Sequence, residues 1–343
     1  MNTGNHNDVG LNATSGPDAL ATLADLFARK DRFLLLTHQD PDGDALGSLL
    51  GLGEGLESLG KQVTRFVEGR LPRPYDFLPG QEKIESRLED VLPFEVAVLL
   101  DCHTLKRVGP QAQKAASIPC RVILDHHLVT GPVEADHSFI DPGVSSAGEI
   151  VYRLLKLLGA PWSPSMATYL FLAIATDTGS FNYDNTTPES LEAAAHLVRT
   201  GADPWRLFQN LYQNRPIERL DLLRRALGTL EFHHQGRLGI MAVDADMLAQ
   251  SRATDEDTAG LVDYPRSVRG VEMAVLIREN EKNLYDVSLR SQGRVNVSAL
   301  AETFGGGGHH NAAGFSLDGG NLADIKGRIV AAAAPLFAQG EAA

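Results

Sequence analysis

Short apolar runs alternate with longer segments of helical period through the N-terminal half of the chain. Runs at 96–100 and 122–124 are wholly apolar, and those at 33–37 and 63–67 largely so. Strands of that kind are buried on both faces, the habit of parallel sheets. Between and after them, apolar positions recur at helical spacing over 18–30, 45–59, 147–158, 165–175 and 188–199, and Gly60 stands where a helix would stop. This alternation predicts a doubly wound parallel-sheet α/β domain.

The pattern changes after about Gly201. Residues 205–230 predict one or two connecting helices, in which Arg224 and Arg225 form a solvated basic face. Strands follow at 238–243, 272–279 and 285–290, then a helix at 297–304, four consecutive glycines, a strand at 314–317 and a closing helix at 322–337. A second, smaller α/β domain is expected there. The predicted organisation is a disordered leader over 1–17, a first domain over 18–203, a helical linker over 204–232 and a second domain over 233–343.

Composition narrows the function classes. A chain of 343 residues suits two domains, taking ~150 residues per domain. Its formal charge of −13 argues against sequence-independent binding of long nucleic acid, which needs a basic surface to displace counterions. A short anionic substrate remains compatible. Cys102 and Cys120 support neither a disulfide framework nor a thiolate zinc site, so a reducing cytoplasm is the expected location. No apolar run reaches the roughly 18 residues that span a bilayer, so no membrane is expected as a partner. The leader lacks the basic and apolar parts of a secretory signal.

The candidate chemistry lies in four clusters: His38-Gln39-Asp40-Pro41-Asp42-Gly43-Asp44, Asp101-Cys102-His103, Asp125-His126-His127 and Asp177-Thr178-Gly179. The first three directly follow strand-like runs, and the fourth follows an apolar stretch that reads as a helix. Ligands in open α/β sheets collect outside the carboxyl ends of the strands. One such cluster alone is an ordinary cap or strand end, but four that can reach the same edge indicate a shared site. His38, Asp42, Asp44, Asp101, His126 and Asp177 supply four carboxylates and two imidazoles, with no thiolate. That set suits two divalent metal ions, Mn²⁺ or Mg²⁺, better than a structural zinc, and paired ions serve phosphoester hydrolysis. The segment from Gly55 to Lys61 spells most of a phosphate-binding P-loop, but Gln62 stands where a Ser or Thr is needed.

At these residues the chain resembles the DHH phosphoesterase superfamily, named for the triplet seen here as Asp125-His126-His127. Gly305-Gly306-Gly307-Gly308-His309, followed by Asn311-Ala312-Ala313-Gly314-Phe315, is similar to the signature of the DHH-associated C-terminal domain. Within the superfamily, the two-domain length and the run Ser288-Leu289-Arg290-Ser291 resemble the NrnA-like group, bifunctional oligoribonucleases that also act as 3′-phosphoadenosine 5′-phosphate (pAp) phosphatases. The resemblance implies an active site in the interdomain cleft. It implies His38 and Asp42 on the first metal, Asp44, His126 and Asp177 on the second, and Asp101 bridging the two. His127 would face the scissile phosphate, making His127 and Asp101 the catalytic pair. Arg290, Gly305, Gly306, Gly307, Gly308 and His309 would grip the far phosphate or base. The glycine run is also suited to this physically, because successive backbone N–H groups can form an anion-binding concavity.

The implied activity is Mn²⁺-dependent hydrolysis of nanoRNA, linear dinucleotides such as pApA, or pAp. The alternatives are a cyclic-dinucleotide phosphodiesterase and a non-catalytic nucleotide-binding sensor. A homodimer is compatible with either. Group members often carry a basic residue where this chain has Asn182; Arg107, six residues past Asp101, either takes its part or is an ordinary surface arginine.

Overall fold

Strand order in the first sheet is what creates a site. The computed structural model describes residues 16–89, 93–129, 133–281 and 283–338, so the expected leader falls almost wholly outside the described residues. The chain divides into two units, 1–214 and 215–343.

Unit 1 runs α1 (Pro17–Arg29), β1 (Arg32–Thr37), α2 (Gly43–Ser58), β2 (Gln62–Phe66), β3 (Ile84–Glu85), β4 (Val96–Leu100), α3 (Leu105–Val108), β5 (Cys120–Asp125), β6 (His137–Ile140), α4 (Ala147–Leu158), α5 (Pro164–Asp177), α6 (Pro188–Thr200) and α7 (Pro204–Tyr212). Its six strands pair in the order β3-β2-β1-β4-β5-β6, all parallel. The direction of winding reverses between β1 and β4, and loops leaving two such strands diverge to opposite sides, opening a crevice. Registers Thr37↔Leu100 and Leu100↔Leu124 bring the carboxyl ends of β1, β4 and β5 level.

The period of two along each strand sorts the core into two layers. Phe33, Leu35, Val98 and Leu124 pack with residues of α1, α2, α4 and α5. Leu34, Leu36, Leu99 and Ile123 face the other way, against Val108 of α3 and Ala112. One helix contact is unusually close. Glycines at 43, 47, 51 and 55 form one ridge of α2, where a Cβ on Gly47 would lie 2.3 Å from the Tyr169 carbonyl oxygen of α5 and one on Gly55 2.4 Å from Leu155 of α4.

Unit 2 comprises α8 (Ile217–Leu227), β7 (Glu231–His233), β8 (Leu238–Val243), α9 (Ala245–Ser251), α10 (Asp263–Arg266), β9 (Met273–Glu281), β10 (Leu284–Ser291), α11 (Val297–Thr303), β11 (Gly307–His309), β12 (Ala312–Asp318) and α12 (Leu322–Ala338). The sheet order is β11-β12-β10-β9-β8-β7, antiparallel except for the β8–β9 pair. The region expected as a linker divides between the units: Leu207 of α7 is buried in the unit 1 core, whereas Leu222 and Ala226 of α8 pack with Met241 and Leu276 of unit 2. Among the described residues no helix is long and apolar enough to cross a membrane.

Candidate metal centre

The first cluster straddles a helix start and is not one continuous loop. Asp42 is the N-cap of α2, its side chain accepting from the Ala45 N–H at 3.0 Å. Asp44 lies inside the first turn, almost fully buried. Both oxygens of its carboxylate are held at the start of α4, by the Ala147 N–H at 2.7 Å and the Gly148 N–H at 2.8 Å. An anion at a helix N-terminus meets unpaired N–H groups and the positive end of the helix dipole. Two helices thereby fix one expected ligand.

Asp101 follows β4 in a left-handed conformation, φ 57°. Strain of that kind in a non-glycine residue persists where surrounding contacts determine it. Here it turns the carboxylate into a ring of imidazoles: His38 Nε2 lies 3.5 Å from Oδ2, and His126 Nε2 and His127 Nδ1 each lie 3.4 Å from Oδ1. His126 Nε2 also lies 3.6 Å from Asp44 and 3.5 Å from Asp177, the last residue of α5. Potential ligand atoms group within 4.8 Å of one another as His38, Asp42 and Asp101, as Asp44, His126 and Asp177, and as Asp101, His126 and His127. All six expected ligands therefore share one sheet edge, with Asp101 common to two groups.

The electrostatics are those of a site built for added positive charge. Burial, with Asp101 and Asp177 nearby, pushes the Asp44 carboxyl well above its usual range. Asp177 is raised to about 6 by burial and by Asp101 and Asp42, against the attraction of His126. Burial alone would lower His126, but Asp101, Asp177 and Asp44 outweigh it and raise the imidazole to about 10. Burial likewise opposes ionisation of Asp101, yet His126, His38 and His127 hold it at about 2. Among the described residues, Asp101 Oδ1 is buried and accepts no hydrogen bond. Buried polar atoms are normally satisfied, so this orphan, among hard oxygen and imidazole donors, fits a divalent cation. Cys102 does not join it: burial and the charges of Asp125 and Asp101 push its thiol well above the ordinary value, and a thiolate is what metals bind.

Three residues outside the expected ligand set support these ligands. Asp125 is completely buried; its Oδ1 accepts from His127 Nδ1 at 2.7 Å and from the His127 N–H at 3.2 Å, while Oδ2 accepts from His103 Nδ1 at 3.2 Å. Burial opposes its ionisation, but the two imidazoles hold it well below the carboxylate range. His103 belongs to a cluster visible in the sequence, though its partner is not. Asn185 donates through Nδ2 to the Asp177 carbonyl at 3.2 Å and the Ser145 carbonyl at 3.1 Å, and stands 3.5 Å from Asp177 Oδ2. No local signal marks Asn185, because its partners meet it only through the fold. Asn182 is exposed, just beyond three consecutive left-handed residues, Gly179, Ser180 and Phe181. Arg107 is exposed on α3, where its carbonyl accepts from the Gln39 N–H.

The remaining predicted residues lie in unit 2. Along β10, Tyr285, Val287, Leu289 and Ser291 are buried while Asp286, Ser288 and Arg290 share the other face. With Arg278 of β9 they line a cavity of about 430 Å³. In the glycine run, the N–H groups of Gly305 and Gly306 donate to the Glu302 and Ala301 carbonyls and so close the end of α11. Gly307 and Gly308 lie in β11, at the sheet edge. A Cβ on Gly306 would stand 2.2 Å from the Gly314 carbonyl oxygen, so close strand packing itself demands glycine there. The side chain of His309 lies outside what the structure describes.

Comparison with known proteins matches residues 32–174 to the N-terminal domain of the DHH family and residues 239–334 to the DHHA1 domain. A bifunctional oligoribonuclease and PAP phosphatase NrnA of Thermus thermophilus is 35% identical over 301 residues, covering 87% of this chain and 88% of that protein. The protein of the same name from Bacillus subtilis is 26% identical over 297 residues, 86% and 92% of the two chains. The crystal structure of an exopolyphosphatase-related protein from Bacteroides fragilis superposes with a TM-score of 0.86 at 26% identity, covering 94% of this chain and 98% of that one.

Proposed function

This chain belongs to the DHH family, and we propose that it is a Mn²⁺-dependent phosphoesterase that releases mononucleotides from very short oligoribonucleotides and removes phosphate from pAp. The observation that carries this reading is the adjacency of two groups of potential ligand atoms, His38 with Asp42 and Asp101, and Asp44 with His126 and Asp177, linked by the 3.4 Å approach of His126 Nε2 to Asp101 Oδ1. The relatives named for both activities match along most of both chains, which supports the choice of substrates.

His38, Asp42 and Asp101 would hold one cation, and Asp44, His126, Asp177 and Asp101 the other. When bound, such a pair supplies Lewis-acid activation of water and neutralises charge developing on a phosphoryl group. The chain's own contribution is to fix geometry and to handle protons. Asp44, clamped by two N–H groups of α4, and Asp101, in its left-handed turn, hold the two sites in register. His127 donates Nδ1–H to Asp125, which orients the ring. A proton at its Nε2 can then be shared with a phosphoryl oxygen or passed to the leaving oxygen. Arg290 offers a planar guanidinium to a second phosphate, with Gly305, Gly306, Gly307, Gly308 and His309 in the same unit, where β11 is separated from β10 by β12 alone.

The test presents purified protein, with Mn²⁺ or with chelator, to pApA, pAp, cyclic-di-AMP, pyrophosphate and a long RNA. Mn²⁺-dependent release of AMP from pApA and of phosphate from pAp is expected. The Asp101→Asn variant should lose roughly a hundred- to a thousandfold in kcat, the scale of removing a principal electrostatic group. Preferential turnover of pyrophosphate would overturn the reading, as would nucleotide binding without turnover.

A further inference from the structure

Just beyond Asp177 the chain keeps a tyrosine at the surface and holds it rigidly. Tyr183 is 43% exposed. A Cβ on Gly179 would lie 2.5 Å from Cε1 and Cζ of its ring and 2.6 Å from Cε2. Near-equal distances to three consecutive ring atoms put that point above the centre of the ring. The ring therefore lies flat against the Gly179 backbone. Glycine is required for this approach, and its φ of 56° favours glycine as well. One face of the ring is covered, so the exposure falls to the opposite face and the edges.

The segment accepts strain to hold that pose. Ser180 and Phe181 follow Gly179 in the left-handed region, at φ 62° and 64°, where residues other than glycine persist only under constraint from their surroundings. The N–H groups of Asn182 and Tyr183 both donate to the Thr178 carbonyl, at 2.9 and 3.0 Å. The Phe181 N–H donates to Thr178 Oγ1 at 3.1 Å, and the Thr186 N–H to the Tyr183 carbonyl at 3.1 Å. Asn185 ties the same turn to the Asp177 carbonyl. Core packing accounts for Phe181, whose ring meets Phe171. It does not account for a fixed, half-exposed ring beside an expected ligand.

An ordered aromatic face of this kind suits a nucleobase. Every base has a π-face, so stacking holds bases without reading their identity. It also works against the formal charge of −13, which gives an anionic nucleotide no general attraction. Gly179 is two residues from Asp177, a reach of at most roughly 7 Å, which a ribose can bridge. We propose that the exposed face of Tyr183 stacks on the base of the nucleotide whose phosphate reaches Asp177 and its neighbours. The inference rests on the phosphoester reading above for the position of that phosphate. It gives the end of α5 two tasks, Asp177 serving the cation and Tyr183 the base.

The experiment titrates AMP and ribose 5-phosphate into Mn²⁺-loaded wild type, Tyr183→Phe and Tyr183→Ala, read by calorimetry, so that no turnover is needed. The two ligands share sugar and phosphate and differ in the base. Wild type should bind AMP more tightly than ribose 5-phosphate. Tyr183→Ala should weaken AMP binding by about five- to a hundredfold, the worth of stacking one base, and leave ribose 5-phosphate unchanged. Tyr183→Phe keeps the ring and should bind AMP as wild type does. The same order is expected in KM for pAp. Equal losses on both ligands, a Phe variant as weak as the Ala variant, or weaker Mn²⁺ binding by Tyr183→Ala would each overturn the proposal. Wild type that binds AMP but turns over neither pApA nor pAp would instead overturn the phosphoester reading, with stacking still decided by the titration.

Discussion

Asn185 shows how much of the cluster is held by residues outside the six expected ligands. Its amide ties the end of α5, where Asp177 sits, to Ser145 just before α4, the helix whose first N–H groups grip Asp44. Outer partners of this kind set ligand orientation, and losing one typically costs 10–100-fold in metal affinity. Asn185→Ala should weaken Mn²⁺ binding by about that factor while leaving the fold intact, read by calorimetric titration of the metal-free protein. Undiminished affinity would reduce Asn185 to a loop fastener. The six expected ligands were legible as a set without a structure, because Asp and His recur immediately after apolar runs, and the structure brings them to one edge. Asn185 was not, since an Asn in a polar loop looks like every other turn residue until its partners arrive from distant segments. Asp125 lay between these cases: the triplet was visible, but the sharing of its two oxygens was not.

At the scale of elements, α2 decides how closely the helical layer can approach. Its glycines cost helix propensity, each about 1 kcal/mol relative to Ala. Their spacing of four nevertheless places Gly43, Gly47, Gly51 and Gly55 on one ridge against Thr176, Tyr169, Leu170 and Leu155. The same approach brings Asp44 of α2 within reach of α4. Gly47→Ala therefore sets two effects in opposition: a propensity gain of ~1 kcal/mol and an overpacking cost of about 1–3 kcal/mol. The clash should prevail, because the atom 2.3 Å away is a backbone oxygen that cannot rotate aside. A lower urea midpoint than wild type is expected, and a higher one would mean that α2 and α5 can separate freely. The strands and helices of unit 1 were readable from periodicity, but their ends were less so. The pattern starts the helix at 45, whereas the N-cap Asp42 starts it at Gly43 and carries Asp44 from loop to helix. The short edge strands β3, β6, β7 and β11 escaped notice because two to four residues hold too little pattern to register. In the glycine run, edge pairing and the closing turn of α11 claim part of the backbone that the motif alone suggests for anion binding.

For the whole molecule, the proposed metal centre would couple chemistry to stability. Buried acidic groups that repel one another oppose folding until a cation neutralises them, and a ligand bound only by the native state stabilises it by mass action. Mn²⁺ at about 100 times its dissociation constant should add about 2.7 kcal/mol, seen as a rise in the thermal midpoint that chelator reverses. No rise would mean that the clustered ligands do not hold the ion. The amino-acid sequence by itself determined the class of both domains and the chemical type of the centre. Those properties reside in local periodicity and in the identity of the side chains that follow each apolar run, and both survive in a linear string. Tertiary structure alone decided that β1 and β4 flank the reversal of the sheet, that the Asp101 carboxylate belongs to two groups of potential ligand atoms, and that Asp125 holds two imidazoles at once. Each of these is a distance between residues remote in the chain, set by how sheets and helices pack rather than by any neighbour along the backbone.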